Sequence, residues 1–223
     1  SNLYINNKKK FFLYYSLYVN SISSILNNIG VNINTVPVLD VYRKKTSNII
    51  GNRSFSNNPK IVSILGNHCI NCYSENKIAT VIKHIPGHGL ATVDSHTSTP
   101  IIYESKKLLN KLDFHVFKNK KTFLAMTAHV IYKNFDPNYT ATHSKIIIKN
   151  IIRKKLKYKN IIISDDISMK SLKYGLEKNA LKALYSGCNL VLHCNANIKE
   201  MSRLAKVVPR IDKFTKKKTS HFY

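Results

Sequence analysis

A chain of 223 residues with 43% hydrophobic content is long enough to bury the core of one globular domain. It contains no run of about 18 apolar residues, which argues against a membrane-spanning helix. The formal net charge of +25 would suit a nucleic-acid partner, but the lysines are spread along the chain and accompany no nucleic-acid-binding motif. General over-use of Lys, Asn and Ile explains the charge more simply, so we expect no nucleic-acid partner.

The first predicted element is a helix over residues 11–29. It overlaps "KKKFFLYYSLYV" (residues 8–19), which imitates the charged and apolar parts of a signal peptide. No small-residue cleavage pattern follows, and Tyr and Ser interrupt the apolar part. We therefore interpret the stretch as an amphipathic helix of a protein without a membrane partner. A targeting or membrane-surface segment is the alternative.

Five short apolar runs follow, and each ends in polar or ionisable residues. The runs are rich in Val, Ile and Leu and do not alternate, which is typical of parallel strands buried on both faces. They cover residues 34–41, 79–84, 122–130, 160–166 and 189–195. Helices are predicted between and after them, over residues 59–72, 103–112, 145–156, 168–186 and 198–207.

Residues able to do chemistry stand at or just past the ends of these predicted strands. They are Asp40, Lys83, His84, His129, Asp165, Asp166 and residues 193–195. A closed β/α barrel gathers such residues on one face, whereas an open dinucleotide-binding sheet would carry a G-x-G-x-x-G turn, which is absent here. We predict an α/β fold of the (β/α)8 TIM-barrel type, incomplete here, with about five of the eight β/α units.

Four cysteines are too few for a disulfide framework in a chain of this length. "HCINC" (residues 68–72) carries a C-x2-C and a neighbouring His, which could begin a zinc site. A second ligand pair is absent, and Cys69 and Cys72 also fit the buried face of a helix. We expect reduced thiols in a cytoplasmic protein and no metal or other cofactor.

The loop "KHIPGHGLATVDSHTSTP" (residues 83–100) holds the densest chemistry of the chain. Gly87 and Gly89 permit positive φ angles, and Pro86 stiffens the exit from the strand. Asp94 and His96 are two residues apart, so the carboxylate can accept a hydrogen bond from one imidazole nitrogen. That arrangement fixes the tautomer and raises the basicity of the ring, as a general acid/base requires. Alone the spacing is weak evidence, since the histidines could be metal ligands or plain loop residues.

Several long motifs resemble, in the correct order, the successive signatures of glycoside hydrolase family 3. The resemblance is to its single-domain bacterial β-N-acetylglucosaminidases of cell-wall recycling, and it covers residues from about 11 to about 207. The motifs are "VPVLDV" (36–41), "GNRSFSNNP" (51–59), the loop 83–100, "MTAHVIYKNFDP" (126–137) and "NIIISDDISMKSL" (160–172).

The resemblance implies the catalytic residues. Asp165, directly after Ser in the "SDD" motif, matches the nucleophile, and His96 of "DSH" matches the acid/base, with Asp94 as its orienting partner. The implied reaction is retaining hydrolysis of terminal β-linked N-acetylglucosamine from peptidoglycan fragments (muropeptides) in a bacterial cytoplasm. Asp166 remains an alternative nucleophile by register.

The resemblance also implies sugar-binding roles for Arg53, Lys83 and His84. His129, His88 and Asp40 are not assigned to catalysis. His129 would line the floor of the pocket, His88 would brace the loop, and Asp40 would be a structural hydrogen-bond acceptor.

The family's barrel has three strands before the "VPVLDV" block, including a "DQEGG"-like segment, and they have no counterpart here. We predict a partial catalytic domain over residues 1–210 and a basic tail over 211–223. The chain is then a fragment of a longer enzyme, a split-gene half completed by a separate N-terminal barrel half, or an inactive remnant. Two further readings stay open: a basic protein that binds nucleic acid or anionic glycan, and a zinc-dependent hydrolase.

Overall fold

Five parallel strands form one sheet, and helices cover its outer face in the computed structural model, which describes residues 2–44 and 50–220. The strands are β1 (Ile33–Asn34), β2 (Ala79–Ile85), β3 (Ile101–Ile102), β4 (Leu124–Thr127), β5 (Ile131–Tyr132), β6 (Ile161–Asp166) and β7 (Leu190–Leu192). The α-helices are α1 (Asn2–Asn6), α2 (Lys8–Asn28), α3 (Pro59–Glu75), α4 (Lys106–Leu112), α5 (Leu176–Ser186), α6 (Ile198–Val207) and α7 (Lys213–Thr219). A π-helix, Ile147–Lys155, connects β5 to β6.

The order of the strands in the sheet is β1-β2-β4-β6-β7, and every pair is parallel. Among these five strands, each one lies beside the one that comes before it in the chain. The reversal of order found in doubly wound sheets is therefore absent from this sheet. This is the wall of a β/α barrel, open at β1 and β7, as the sequence predicts. The short strands β3 and β5 pair separately, in parallel.

The apolar residues of the strands divide between the two faces of this wall. Ile82, Ala125 and Ile162 belong to the main core, where they pack with residues of α3, the π-helix and α5. The opposite, inner face carries Val81, Leu124, Met126 and Ile161. At the edges of that inner face, Ile33, Leu190 and Leu192 are only half-buried.

Several predicted elements are longer than the observed ones, and two of them differ for a clear physical reason. The run 34–41 is not one strand: β1 ends at Asn34, and only an isolated bridge from Val38 to Lys83 continues the pairing. Pro37 lies between them and has no N–H to donate to a neighbouring strand. The helix predicted over 168–186 begins only at Leu176, because the Asp166 carboxylate accepts hydrogen bonds from the Ser168 amide and hydroxyl and holds the chain in a turn.

The predicted tail contains a helix. α7 is held to the sheet by the hydroxyl of Thr215, which accepts from Asn189 Nδ2 at 3.0 Å, and by Lys218, whose Nζ donates to Asn160 Oδ1 at 2.9 Å. The domain boundary at residues 210/211 stays a prediction. Within the described residues, no helix is long and apolar enough to cross a membrane.

The turn after β2 leaves no room for a side chain at Gly89. A Cβ there would lie 2.3 Å from the carbonyl oxygen of Val41, a backbone atom that cannot move aside cheaply. Gly89→Ala is therefore expected to lower the free energy of unfolding by about 1–3 kcal/mol, measured by urea denaturation. A Cβ on Gly175 meets no atom within 4 Å, so Gly175→Ala should cost only about 0.5 kcal/mol, from its helix N-cap position. Equal losses in the two variants would contradict the close approach at Gly89.

Candidate active site

Ionisable side chains from three neighbouring strands meet at the carboxyl end of the sheet. Lys83 and His84 lie near the end of β2, His129 follows β4, and Asp165 lies at the end of β6. The sequence places these residues far apart, and parallel pairing of β2, β4 and β6 brings their ends together. In β/α barrels this face holds the active site.

Asp165 lies at this end of the sheet with 20% of its side chain exposed. Its Oδ2 lies 3.8 Å from Nε2 of His84, and its Oδ1 accepts the N–H of Asp166 at 2.8 Å. Burial raises the pKa of Asp165, but His84, the Asp166 N–H and Lys83 more than offset it and hold the pKa below its ordinary value. The carboxylate is therefore ionised near neutral pH, as a nucleophile must be.

The carboxylate of the neighbouring Asp166 is engaged in hydrogen bonds with residues close to it. Its Oδ1 accepts from the amides of Ser168 (3.1 Å) and Cys194 (3.3 Å), and its Oδ2 accepts from the Ser168 hydroxyl at 2.7 Å. These bonds tie the ends of β6 and β7 together. The geometry thus favours Asp165 over Asp166 as the reacting group.

His129 is fixed beneath the site. Its Nε2 lies 2.9 Å from the carbonyl oxygen of Asp166 and its Nδ1 lies 2.7 Å from the hydroxyl of Thr142. Burial lowers the pKa of His129, so the ring is neutral and donates through Nε2, since a carbonyl can only accept. This agrees with a residue on the floor of the pocket.

Two cations, Arg53 and Lys83, line a cleft of about 340 Å³ next to Asp165. Tyr15, Tyr18 and Phe55 contribute aromatic walls to the same cleft. Burial lowers the pKa of Lys83, and the nearby Asp165 and Asp40 carboxylates partly restore it. A polar ligand with an apolar face suits such a lining.

The dyad predicted from the D-x-H spacing is present. Asp94 Oδ1 accepts from the backbone N–H of His96 at 2.6 Å and lies 2.9 Å from its Nδ1. The dyad sits on an open loop, where the His96 side chain is 64% exposed. Both residues lie in the described part of the chain, and no hydrogen bond or ion pair joins His96 to Asp165.

Asp40 is a site residue whose contacts sequence reasoning missed. It is buried and accepts hydrogen bonds from His84 and His88. Its place at the end of an apolar run was the available signal, but nothing local in the sequence indicates which residues it contacts.

The zinc alternative at residues 68–72 involves Cys69, Cys72 and His68. Cys69 and Cys72 are buried on α3, and Nε2 of His68 lies 3.1 Å from the hydroxyl of Ser16. Across the described ranges 2–44 and 50–220, no group of three or more His, Cys, Asp or Glu side chains is arranged to hold a metal ion.

A wall of parallel strands with a carboxylate and imidazoles at the strand ends is the arrangement that β/α-barrel enzymes carry at their active sites. The model of the family described as "Glycosyl hydrolase family 3 N terminal domain" matches residues 19–218, and the chain belongs to this family.

Relatives and solved structures agree with this assignment. The chain is 36% identical over 174 residues to the beta-hexosaminidase of Shewanella frigidimarina, covering 75% of this chain and 50% of that protein. It is similar in structure, with a TM-score of 0.87 and 25% identity, to NagZ from Neisseria gonorrhoeae in complex with N-trifluoroacetyl-D-glucosamine, over 99% of this chain and 65% of that one. A family 3 β-N-acetylglucosaminidase from Paenibacillus sp. str. FPU-7 gives a TM-score of 0.80 and 27% identity, over 92% and 41% of the two chains.

The chain spans about half the length of the curated relatives that it matches, 50% and 51% for the first two. It matches them over about three quarters of its own residues. The matched region is therefore about half of each of these two relatives.

Proposed function

We propose that the chain forms the nucleophile-bearing part of a retaining β-N-acetylhexosaminidase. The observation that carries the proposal is the ionised, largely buried carboxylate of Asp165 beside His84, at the carboxyl end of a barrel strand. Relatives that are beta-hexosaminidases support the choice of reaction.

In the proposed first step, an oxygen of Asp165 attacks the anomeric carbon while the bond from that carbon to the leaving oxygen breaks. Protonated His96 gives its Nε2 proton to the leaving oxygen, and a glycosyl ester of Asp165 forms. In the second step neutral His96 takes a proton from water, whose oxygen attacks the same carbon and releases the Asp165 carboxylate. Two inversions keep the configuration of the sugar. Asp94 orients His96 and stabilises its protonated form.

The proposed substrates are terminal β-linked N-acetylglucosaminides from peptidoglycan fragments in a bacterial cytoplasm. NagZ from Neisseria gonorrhoeae binds an N-acylated glucosamine, which supports this class. Arg53 and Lys83 line the cleft, and His84 lies beside Asp165. These three residues would hold the hydroxyl and N-acyl groups of the sugar.

We further propose that the barrel is closed by about three more β/α units, on a separate N-terminal half or on the same polypeptide. β1 and β7 are the two ends of the sheet and carry half-buried apolar side chains on its inner face. Before β1 in the chain, α2 and its C-cap residue Ile29 expose an apolar surface, whose other members are Leu13, Tyr14, Leu17, Tyr18 and Ile25, each 50–68% exposed. An apolar helix face and an open strand edge fit the next unit of the same barrel.

The test is release of the aryl group from an aryl β-N-acetylglucosaminide. The chain is assayed alone and mixed with the separately made part of the Shewanella frigidimarina relative that precedes the matched region. We expect turnover only in the mixture. A mixture that forms a folded complex by gel filtration and circular dichroism but shows no turnover would identify an inactive remnant.

A matched pair of variants tests whether α2 binds the added β/α units. Leu17→Asp places a charge on the exposed face of α2 and should weaken association at least about tenfold. Asn150→Asp adds the same charge at an exposed position of the π-helix and should leave association unchanged. Equal affinities of both variants would show that α2 does not bind the added units.

A further inference from the structure

We infer that Asp40 is the positioning residue that holds His84 against the nucleophile Asp165 and ties the strand end to the loop of the acid/base. The role in catalysis rests on the proposed function, whereas the positioning itself is a property of the chain. Asp40 makes no contact with the sugar in this proposal, because it is only 1% exposed.

The contacts of Asp40 converge on two residues. Its Oδ2 lies 2.6 Å from Nδ1 of His84, and its two oxygens also accept the backbone N–H of His84 at 3.2 and 3.3 Å. Its Oδ1 accepts the backbone N–H of His88 at 2.6 Å. One buried carboxylate therefore satisfies donors before and after the turn formed by Ile85, Pro86 and Gly87.

These contacts fix which nitrogen of His84 faces Asp165. An ionised carboxylate can only accept, so Nδ1 of His84 must carry a proton. The ring cannot turn without losing this bond, and its other nitrogen, Nε2, stays 3.8 Å from Oδ2 of Asp165. Burial raises the pKa of Asp40, but His84 and His88 lower it below the ordinary value, so Asp40 remains ionised.

The contact with His88 extends the effect to the loop. His88 stands at the start of the segment that leads to Asp94 and His96, and the turn before it is fixed by a hydrogen bond from the Tyr132 hydroxyl to the carbonyl of Gly87. Asp40 thus anchors the base of the loop that carries the acid/base, six residues before Asp94.

The ionisation of Asp165 reports on this arrangement. The charged and titratable groups that face Asp165 or its immediate neighbours are Lys83, His84 and His88 near β2, His129 after β4, Asp166 on β6, Cys194 after β7, Arg53 beside Lys83, and Asp40. Loss of the negative charge of Asp40 would by itself lower the pKa of Asp165. His84 holds the pKa of Asp165 down, so loss of its orientation would raise that pKa, and the sign separates the two effects.

The experiment is carbon NMR of the carboxyl groups in the chain labelled at Asp, with the Asp165 signal assigned by its absence in Asp165→Asn. We expect the pKa of Asp165 to rise in Asp40→Asn and in His84→Ala, and Asp40→Asn to cause no further rise once His84 is Ala. Asp136→Asn is the matched control, because Asp136 is a buried carboxylate that bonds only locally, to Ser144 and Asn138. An unchanged or lowered pKa of Asp165 in folded Asp40→Asn would overturn the inference.

A measurement on the unaltered chain covers the case in which Asp40→Asn does not fold. Nitrogen NMR of the His-labelled chain should show a proton on Nδ1 of His84, and a proton-free Nδ1 would overturn the inference. In the completed barrel, Asp40→Asn should lower kcat by about 100-fold and move the acid limb of kcat/KM to higher pH. A completed barrel with no turnover would reject the proposed function, while the two NMR results would still test the positioning by Asp40.

Discussion

Replacing Asp165 by Asn in the completed barrel is expected to lower kcat by more than about 10⁴-fold. The amide is neutral and cannot form the glycosyl ester, so the two-step route is lost and only slow direct attack by water remains. The loss should fall on kcat more than on KM, since the amide still fills the same space beside His84. Turnover of an aryl β-N-acetylglucosaminide measures the effect.

Asp166→Asn is the matched control for that prediction. Its carboxylate accepts from Ser168 and Cys194, so the amide should loosen the turn and cost about tenfold in kcat rather than 10⁴-fold. Azide added to Asp165→Ala should restore part of the turnover and give the α-glycosyl azide, since a small anion can occupy the place of the missing carboxylate. The reverse ranking, with Asp166→Asn inactive and Asp165→Asn active, would move the nucleophile to Asp166.

His96→Ala is expected to lower kcat by about 10²–10⁴-fold with an alkyl or sugar leaving group. Such a leaving group needs a proton as its bond breaks. Nδ1 of His96 faces Asp94, so its other ring nitrogen, Nε2, is the one that can give this proton. An activated aryl leaving group needs no proton, so the first step should then be nearly unaffected. The measurement is a comparison of kcat/KM across leaving groups of different acidity.

Two further variants separate this role from a general effect on the loop. Asp94→Asn keeps the hydrogen-bonding shape but removes the charge that supports protonated His96, and its loss should be smaller than that of His96→Ala. Thr92→Ala alters an exposed side chain of the same loop and should leave turnover unchanged. A loss in His96→Ala that does not depend on the leaving group would rule out proton transfer by His96.

The sequence by itself determined the fold class and predicted the residues that we propose to carry the chemistry. Apolar runs rich in Val and Ile predict buried parallel strands, because both faces of such strands meet apolar neighbours. The strands β2 and β6 lie where these runs place them, and the helix α6 lies at its predicted position. The D-x-H spacing predicts the Asp94–His96 dyad because both partners lie within one short turn. Local chemistry is readable where the interacting groups are neighbours in the chain.

Only the tertiary structure decided how these residues meet. Asp40 and His84 are 44 positions apart, and nothing in either segment indicates that their side chains lie 2.6 Å from each other. The exposed position of His96, without a bond to Asp165, and the contact of α7 with the sheet likewise depend on packing between distant segments. Sequence pattern reports which face of an element is apolar, whereas strand pairing and loop position are settled by contacts that form only when the whole wall is assembled.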